Sequence, residues 1–174
     1  MRKTREYKSP TAAMLWSLVL PGFGQLYNKD YLVGIVLMGW ELAVNLNSNL
    51  NVALLDAFNG DSFSTHQSIN YQWAIFYPSV YGFGLWQAFN FAKSHNEKAA
   101  GIDGNKRTYL TGFFIGMVLG MDFGLFWHDG SFFKKYWMLD SPIFNGIILG
   151  LLMGLLGNSI ELWVRRKKRY RVEI

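Results

Sequence analysis

The chain has 174 residues, of which 51% are hydrophobic and 17% aromatic, but only 17% are charged and none is cysteine. A soluble domain usually carries about a quarter charged residues, so the composition points away from one. The missing cysteine excludes disulfides, thiol nucleophiles and cysteine-based metal sites.

The net charge of +5 could suggest nucleic acid, but its placement argues for no nucleic-acid partner. Arg2, Lys3, Arg5 and Lys8 precede the first apolar segment, and Arg165, Arg166, Lys167, Lys168, Arg169 and Arg171 follow the last. Basic clusters flanking apolar segments set membrane orientation and touch anionic headgroups. Between Asp30 and Lys93 there is no Lys or Arg, and from Asp140 to Val164 the only charges are Asp140 and Glu161. Charge-poor stretches of this length suit a hydrocarbon core about 30 Å thick, which a helix of roughly 20 residues crosses. The fold class expected is all-α, a polytopic membrane helix bundle in one domain.

In chain order, residues 1–10 are a basic end expected in the cytoplasm. Ala12 to Leu20 is apolar but, at 1.5 Å per residue, only about 14 Å long as a helix. It meets Pro21, which disfavours helix at Leu20, then Gly22 and Gly24. Residues 11–28 therefore read as a broken half-helix that does not cross, and no signal-peptide cleavage pattern follows them. Spans are predicted over 31–46, 71–92, 108–127 and 142–164. Residues 47–70, rich in Asn and Ser, read as an external loop, 93–107 as a cytoplasmic loop, and 165–174 as a basic cytoplasmic tail. The Lys/Arg distribution puts both termini and the 93–107 loop inside. This gives four spans; a five-span alternative would put one basic terminus outside.

Gly112, Gly116, Gly120 and Gly124 recur every fourth residue, as do Gly146, Gly150 and Gly154. Each set lies on one helix face, and small residues at this spacing allow backbones to approach closely in lipid. The two helices could pack on each other within the chain, or the faces could serve a homo-oligomer or a partner helix. Glu41 and Asp122 fall inside predicted spans, where a carboxylate costs about 2.5–3.5 kcal/mol on insertion scales. They are candidates for an ion relay with Asn45, Gln87 and Asn90 as polar neighbours, or for interhelical hydrogen bonding. Glu161 should pair with Arg165 one turn on. His66, His95 and His128 form no ligand set, although His128-Asp129 is an adjacent pair. No metal site, cofactor motif or catalytic constellation is expected, and the chain reads as a non-enzyme.

The stretch Pro21-Gly22-Phe23-Gly24-Gln25-Leu26-Tyr27-Asn28, followed by an apolar helix, resembles a bacterial PGxGQxYN signature. It is similar to small proteins of the two-transmembrane-helix domain type and to the N-terminal segment of maltose-type sugar ABC permeases of Gram-positive bacteria. The resemblance implies a bacterial cytoplasmic membrane, with this segment leading into the first span. Gln25, Tyr27 and Asn28 offer groups that could satisfy the broken backbone. Lys98-Ala99-Ala100-Gly101-Ile102-Asp103-Gly104 is similar to the permease loop that docks an ATPase, EAAxIDGA, with Lys98 replacing the glutamate and Asn105 the last alanine. The expected function is non-catalytic: a membrane accessory or scaffold protein acting through helix–helix contacts with itself or a partner membrane protein. The alternative is a small transporter or channel using Glu41 and Asp122.

Overall fold

The computed structural model describes residues 6–102, 108–127 and 136–172, and every regular element among them is an α-helix. In order these are α1 (Pro10–Val19), α2 (Phe23–Tyr27), α3 (Tyr31–Ser48), α4 (Leu50–Phe58), α5 (Ser62–Ser68), α6 (Tyr71–Ala74), α7 (Phe76–Ala99), α8 (Thr111–Phe126), α9 (Trp137–Asp140) and α10 (Pro142–Val172). The chain divides into two compact units, Met1–Leu42 with Val80–Tyr109, and Ala43–Ser79 with Leu110–Ile174. The boundaries fall within α3 and α7.

In the first unit, Ser9 caps α1 by accepting from the Ala12 N–H at 3.2 Å, and Pro10 takes the first turn, where its missing N–H is harmless. The helix stops at Leu20, which is extended as the residue before a proline must be. Gly22 turns the chain with φ +110°, a backbone that a side chain would strain, and a Cβ there would also strike Met38. After α2, the Asp30 N–H returns to the Gln25 carbonyl at 2.9 Å, and α3 starts at once. Ala13, Ala88 and Ala92 are buried together as a small-residue seam, where no bulk holds α1 away from α7.

The second unit has two parts. In the first, α4 and α5 form a short hairpin: Asp61 caps α5 by accepting from Ser64 N–H at 2.9 Å, and Gly60 turns at φ +77°. Ala53, Ala57, Ile69, Ala74, Leu125 and Ile143 form its core. In the second, α8 packs along α10 through glycine. A Cβ on Gly124 would lie 2.7 Å from Asn145 O, one on Gly116 2.9 Å from Met153 C, and one on Gly112 2.9 Å from Gly157 C. On α10, Gly146 and Gly154 are looser, with nearest atoms Met121 O at 3.3 Å and Phe113 Cε2 at 3.1 Å, whereas a Cβ on Gly150 would press on the Met121 side chain and one on Gly157 would lie 2.8 Å from Gly112 C. The close approach is thus set by the α8 glycines together with Gly157 of α10, which is absent from the four-residue ladder and meets Gly112 at the far end. Both glycine faces are turned on each other within the chain, so an oligomer would need another surface.

Glu161 has two jobs at that far end. It pairs with Arg165, as the spacing requires, and it accepts from the Gly112 N–H in the first turn of α8 at 2.6 Å. A carboxylate there satisfies a donor that the helix itself cannot and opposes the positive end of the helix dipole. Glu161→Ala is therefore expected to destabilise the protein by about 1–2 kcal/mol, and Glu161→Gln, which still accepts, by less. Thermal unfolding in detergent followed by fluorescence checks both.

Several boundaries differ from those predicted. Residues 47–70 hold two helices rather than a loop, because Leu50, Ala53, Leu54 and Ala57 give a helical face that the intervening Asn and Asp obscure. The 71–92 segment breaks into α6 and α7, and α7 runs on to Ala99 through polar residues predicted as loop. Similarly, α10 continues through Arg165 to Val172 instead of ending at Val164. The described residues contain two helices long and apolar enough to cross a membrane, Tyr31–Ser48 and Pro142–Lys167, plus shorter apolar helices at Pro10–Val19 and Thr111–Phe126. Gly39 on α3 is exposed with nothing within 4 Å of its would-be Cβ. Gly39→Ala should raise stability by roughly 0.5–1 kcal/mol through reduced backbone freedom in the unfolded chain, read as a higher melting temperature.

Candidate functional site

The residues of the Pro21–Asn28 segment converge on one face of α7. Gln25 lies on α2 and Asn28, three residues on, is its C-cap with helical backbone angles, so both side chains project from one side. Gly84 and Ala88 are four apart on α7, so their carbonyls lie one turn apart along one edge. The two spacings match. Gln25 Nε2 donates to Gly84 O at 2.8 Å, and Asn28 Nδ2 donates to Ala88 O at 2.8 Å. Gln25 is fully buried and Asn28 almost so.

A second layer fixes the Gln25 amide. Its Nε2 also donates to Gln87 Oε1 at 2.9 Å, its Oε1 accepts from Ser17 Oγ at 3.1 Å, and Gln87 Nε2 donates to Asp30 Oδ2 at 2.9 Å. Ser17 on α1, Gln25 on α2, Asp30 before α3 and Gln87 on α7 thus form one chain of hydrogen bonds. Gly24 permits it: a Cβ there would press on Ser17 Oγ and the Ala13 carbonyl and lie 2.9 Å from Ala88 Cβ. Pro21 is buried, and the Tyr27 hydroxyl accepts from the Ser9 N–H at 3.2 Å. Each polar residue of the segment satisfies backbone or a neighbouring amide.

The N-terminal segment before α1 is tied to the same place. Lys8 donates its amine to the Asn28 carbonyl, lies over the Phe91 ring 5.3 Å from its centre, and exchanges backbone hydrogen bonds with the Asn96 amide at 3.0 and 2.6 Å. Lys8 is only 8% exposed, and burial, aided by the nearby Lys29 charge, pushes its amine below the ordinary lysine value. Sequence reasoning placed it with the surface basic cluster; it is instead an internal tie. Lys29 pairs with Glu6 at 2.9 Å on the exposed side, and the hydrogen bond from Lys29 holds the Glu6 carboxyl below its usual range.

The other sequence-derived candidates are not brought to this site. Glu41 is 7% exposed and belongs to the first unit, whereas Asp122, with a buried unpartnered Oδ1, belongs to the second. Among the described residues neither carboxylate has a hydrogen-bond or ion-pair partner. Gln87 is occupied by Gln25 and Asp30. Asn90 instead grips the Tyr109 backbone, accepting from its N–H at 2.6 Å and donating to its carbonyl at 3.0 Å. Asn45 offers Glu41 no hydrogen bond. His66 bridges the Tyr71 hydroxyl and the Asp140 carbonyl, and His95 meets the Glu6 carbonyl. His128 and Asp129 lie outside the described residues. No group of three His, Cys, Asp or Glu among the described residues could hold a metal. Of the stretch likened to an ATPase-docking loop, Lys98 and Ala99 end α7 and Gly101 turns at φ +71°, while Asp103, Gly104 and Asn105 lie outside the described residues.

Residues 6–52 match a family of unknown function, DUF5683. The match begins beside Lys8 and ends just past α3, so it includes the whole tie from α1 to the start of α3 but not its acceptors on α7. No curated protein and no solved structure matches the chain.

Proposed function

We propose that the chain is a multi-pass protein of a bacterial cytoplasmic membrane that acts without catalysis, as an accessory or scaffold for another membrane protein or for itself. The observation that carries this reading is the Pro142–Lys167 stretch, which is strongly apolar yet only 11% buried. Leu151, Leu152, Leu155, Leu156 and Ile160 all point outward on it. A core helix of a soluble protein hides such a face; here only lipid or a partner can cover it. The Tyr31–Ser48 helix has the same character, at 28% buried.

In this reading α3, α7, α8 and α10 are the four spans. The Lys93–Lys98 end of α7 and the Arg165–Arg171 end of α10 extend as helix into cytoplasmic water, and both termini are inside. α8, of 16 residues, is about 24 Å long, which local thinning of the bilayer accommodates. The α1–α2 hook stays on the cytoplasmic side, its broken backbone satisfied by protein groups as lipid would require. Apart from the unpartnered Asn28 Oδ1, the side-chain amides of that hook are spent on α7 carbonyls and neighbouring side chains, which supports a structural role over a reactive one. Partners are membrane lipid and a membrane protein, with no nucleic acid, and no cofactor is invoked.

Purification of the tagged chain from native membranes in mild detergent tests the scaffold role. A stoichiometric membrane-protein partner, or a defined homo-oligomer, is expected; a lone monomer would overturn it. A second reading, a small transporter or channel, is favoured by Glu41 and Asp122, two carboxylates within spans that lack partners among the described residues. Ion flux in reconstituted vesicles that Glu41→Gln and Asp122→Asn abolish would establish that reading instead.

A further inference from the structure

We infer that α4 is an interfacial helix, lying in the headgroup–acyl boundary on the outer face and anchored there by apolar contact alone. This rests on the membrane reading above. The helix is apolar on two sides. Ala53 and Ala57 are buried in the core of their unit, while Val52, Leu55 and Phe58, spaced by three, are 53%, 62% and 68% exposed, and Phe63 on the following helix is 71% exposed. A nine-residue helix packed on one side and greasy on the other is poorly matched to water.

Two observations identify lipid as what covers it. Phe58 stacks edge-on with Phe144 of α10, ring centres 5.2 Å apart, so the stripe meets the helix on which Ile147 and Leu151 are also exposed. The hydrocarbon that covers α10 thus reaches the edge of α4. The charges of the hairpin are also tied down locally. Asp56 accepts from Ser68 Oγ at 2.8 Å. Asp61 caps α5, and the Ser64 backbone hydrogen bond holds its carboxyl below the usual range. Residues 47–70 contain no Lys or Arg, so nothing there seeks an anionic headgroup, and neutral lipid is the fitting occupant. An interfacial helix of this kind sits about 5–10 Å into the boundary.

The natural absence of cysteine makes the test direct. Leu55→Cys, Phe63→Cys, Leu152→Cys and Lys98→Cys, each in the full chain, are labelled with an environment-sensitive fluorophore and reconstituted in phosphatidylcholine vesicles. Nitroxides are then carried on the lipid either near the headgroup or near the acyl terminus. The inference expects probes at Leu55 and Phe63 to be quenched mainly by the shallow nitroxide, the Leu152 probe mainly by the deep one, and the Lys98 probe by neither. If Leu152 is quenched but Leu55 and Phe63 are not, the membrane reading stands and the interfacial helix is wrong, including where those two probes are shielded without quenching because protein covers them. If no position is quenched, both fail.

Discussion

Gly116→Leu is expected to separate α8 from α10 and to destabilise the protein by about 3 kcal/mol. At this position a Cβ alone already overlaps the Met153 carbonyl group, with Gly154 Cα 3.3 Å away. The obstacle is backbone, which cannot swing aside as a side chain does, so the whole helix must shift. Because Gly112, Gly120 and Gly124 meet the same neighbour in the same way, relief at one level strains the next. Gly146→Ala, where the nearest atom is 3.3 Å away, should cost far less. Leu119→Ala, on an exposed part of α8, should stay within about 0.5 kcal/mol. Melting of the three variants in the same detergent gives the order; equal losses at Gly116 and Gly146 would mean that the helices are not held at this spacing.

Gln25→Met is the second large effect expected, a loss of about 1–3 kcal/mol. Methionine keeps the volume and removes the amide, so the change isolates hydrogen bonding from packing. It strands the buried Ser17 Oγ and removes the donor from the half-buried Gln87 Oε1, and an unpaired buried polar group costs more than the bond it loses was worth. Asn28→Ala should be milder, since its Oδ1 already lacks a partner and Ala88 O lies within the run of α7. A double-mutant cycle with Gln87→Met separates the contributions: coupling of Gln25 and Gln87 well above about 0.5 kcal/mol is expected for groups in one network. Additive losses would show that the two amides act independently.

These two regions differ in how much the sequence disclosed. The break at Pro21 and the start of α3 were legible because proline and glycine act through local sterics. The glycine face was legible because four-residue spacing states its own geometry; Gly157 was missed since it falls three after Gly154. What Gln25 and Asn28 contact was not legible, for their acceptors lie 59 and 60 residues away and are backbone carbonyls, which carry no residue signature. Lys8 shows the same limit from the other side. In a cluster with Arg2, Lys3 and Arg5 it reads as surface charge, and only the tertiary seat against Asn28, Phe91 and Asn96 makes it internal. The helices within 47–70 were hidden because Asn and Asp, which favour turns locally, here sit on the outward side or at caps.

Whether the chain crosses the membrane several times with both ends in the cytoplasm is decided by labelling single cysteines in intact cells with a membrane-impermeant maleimide. Gln67→Cys, in the hairpin after α3, should label from outside without permeabilisation. Lys98→Cys, at the end of α7, should label only once the membrane is opened. Labelling of both positions from the same side, or recovery of the protein in the soluble fraction, would rule out this topology.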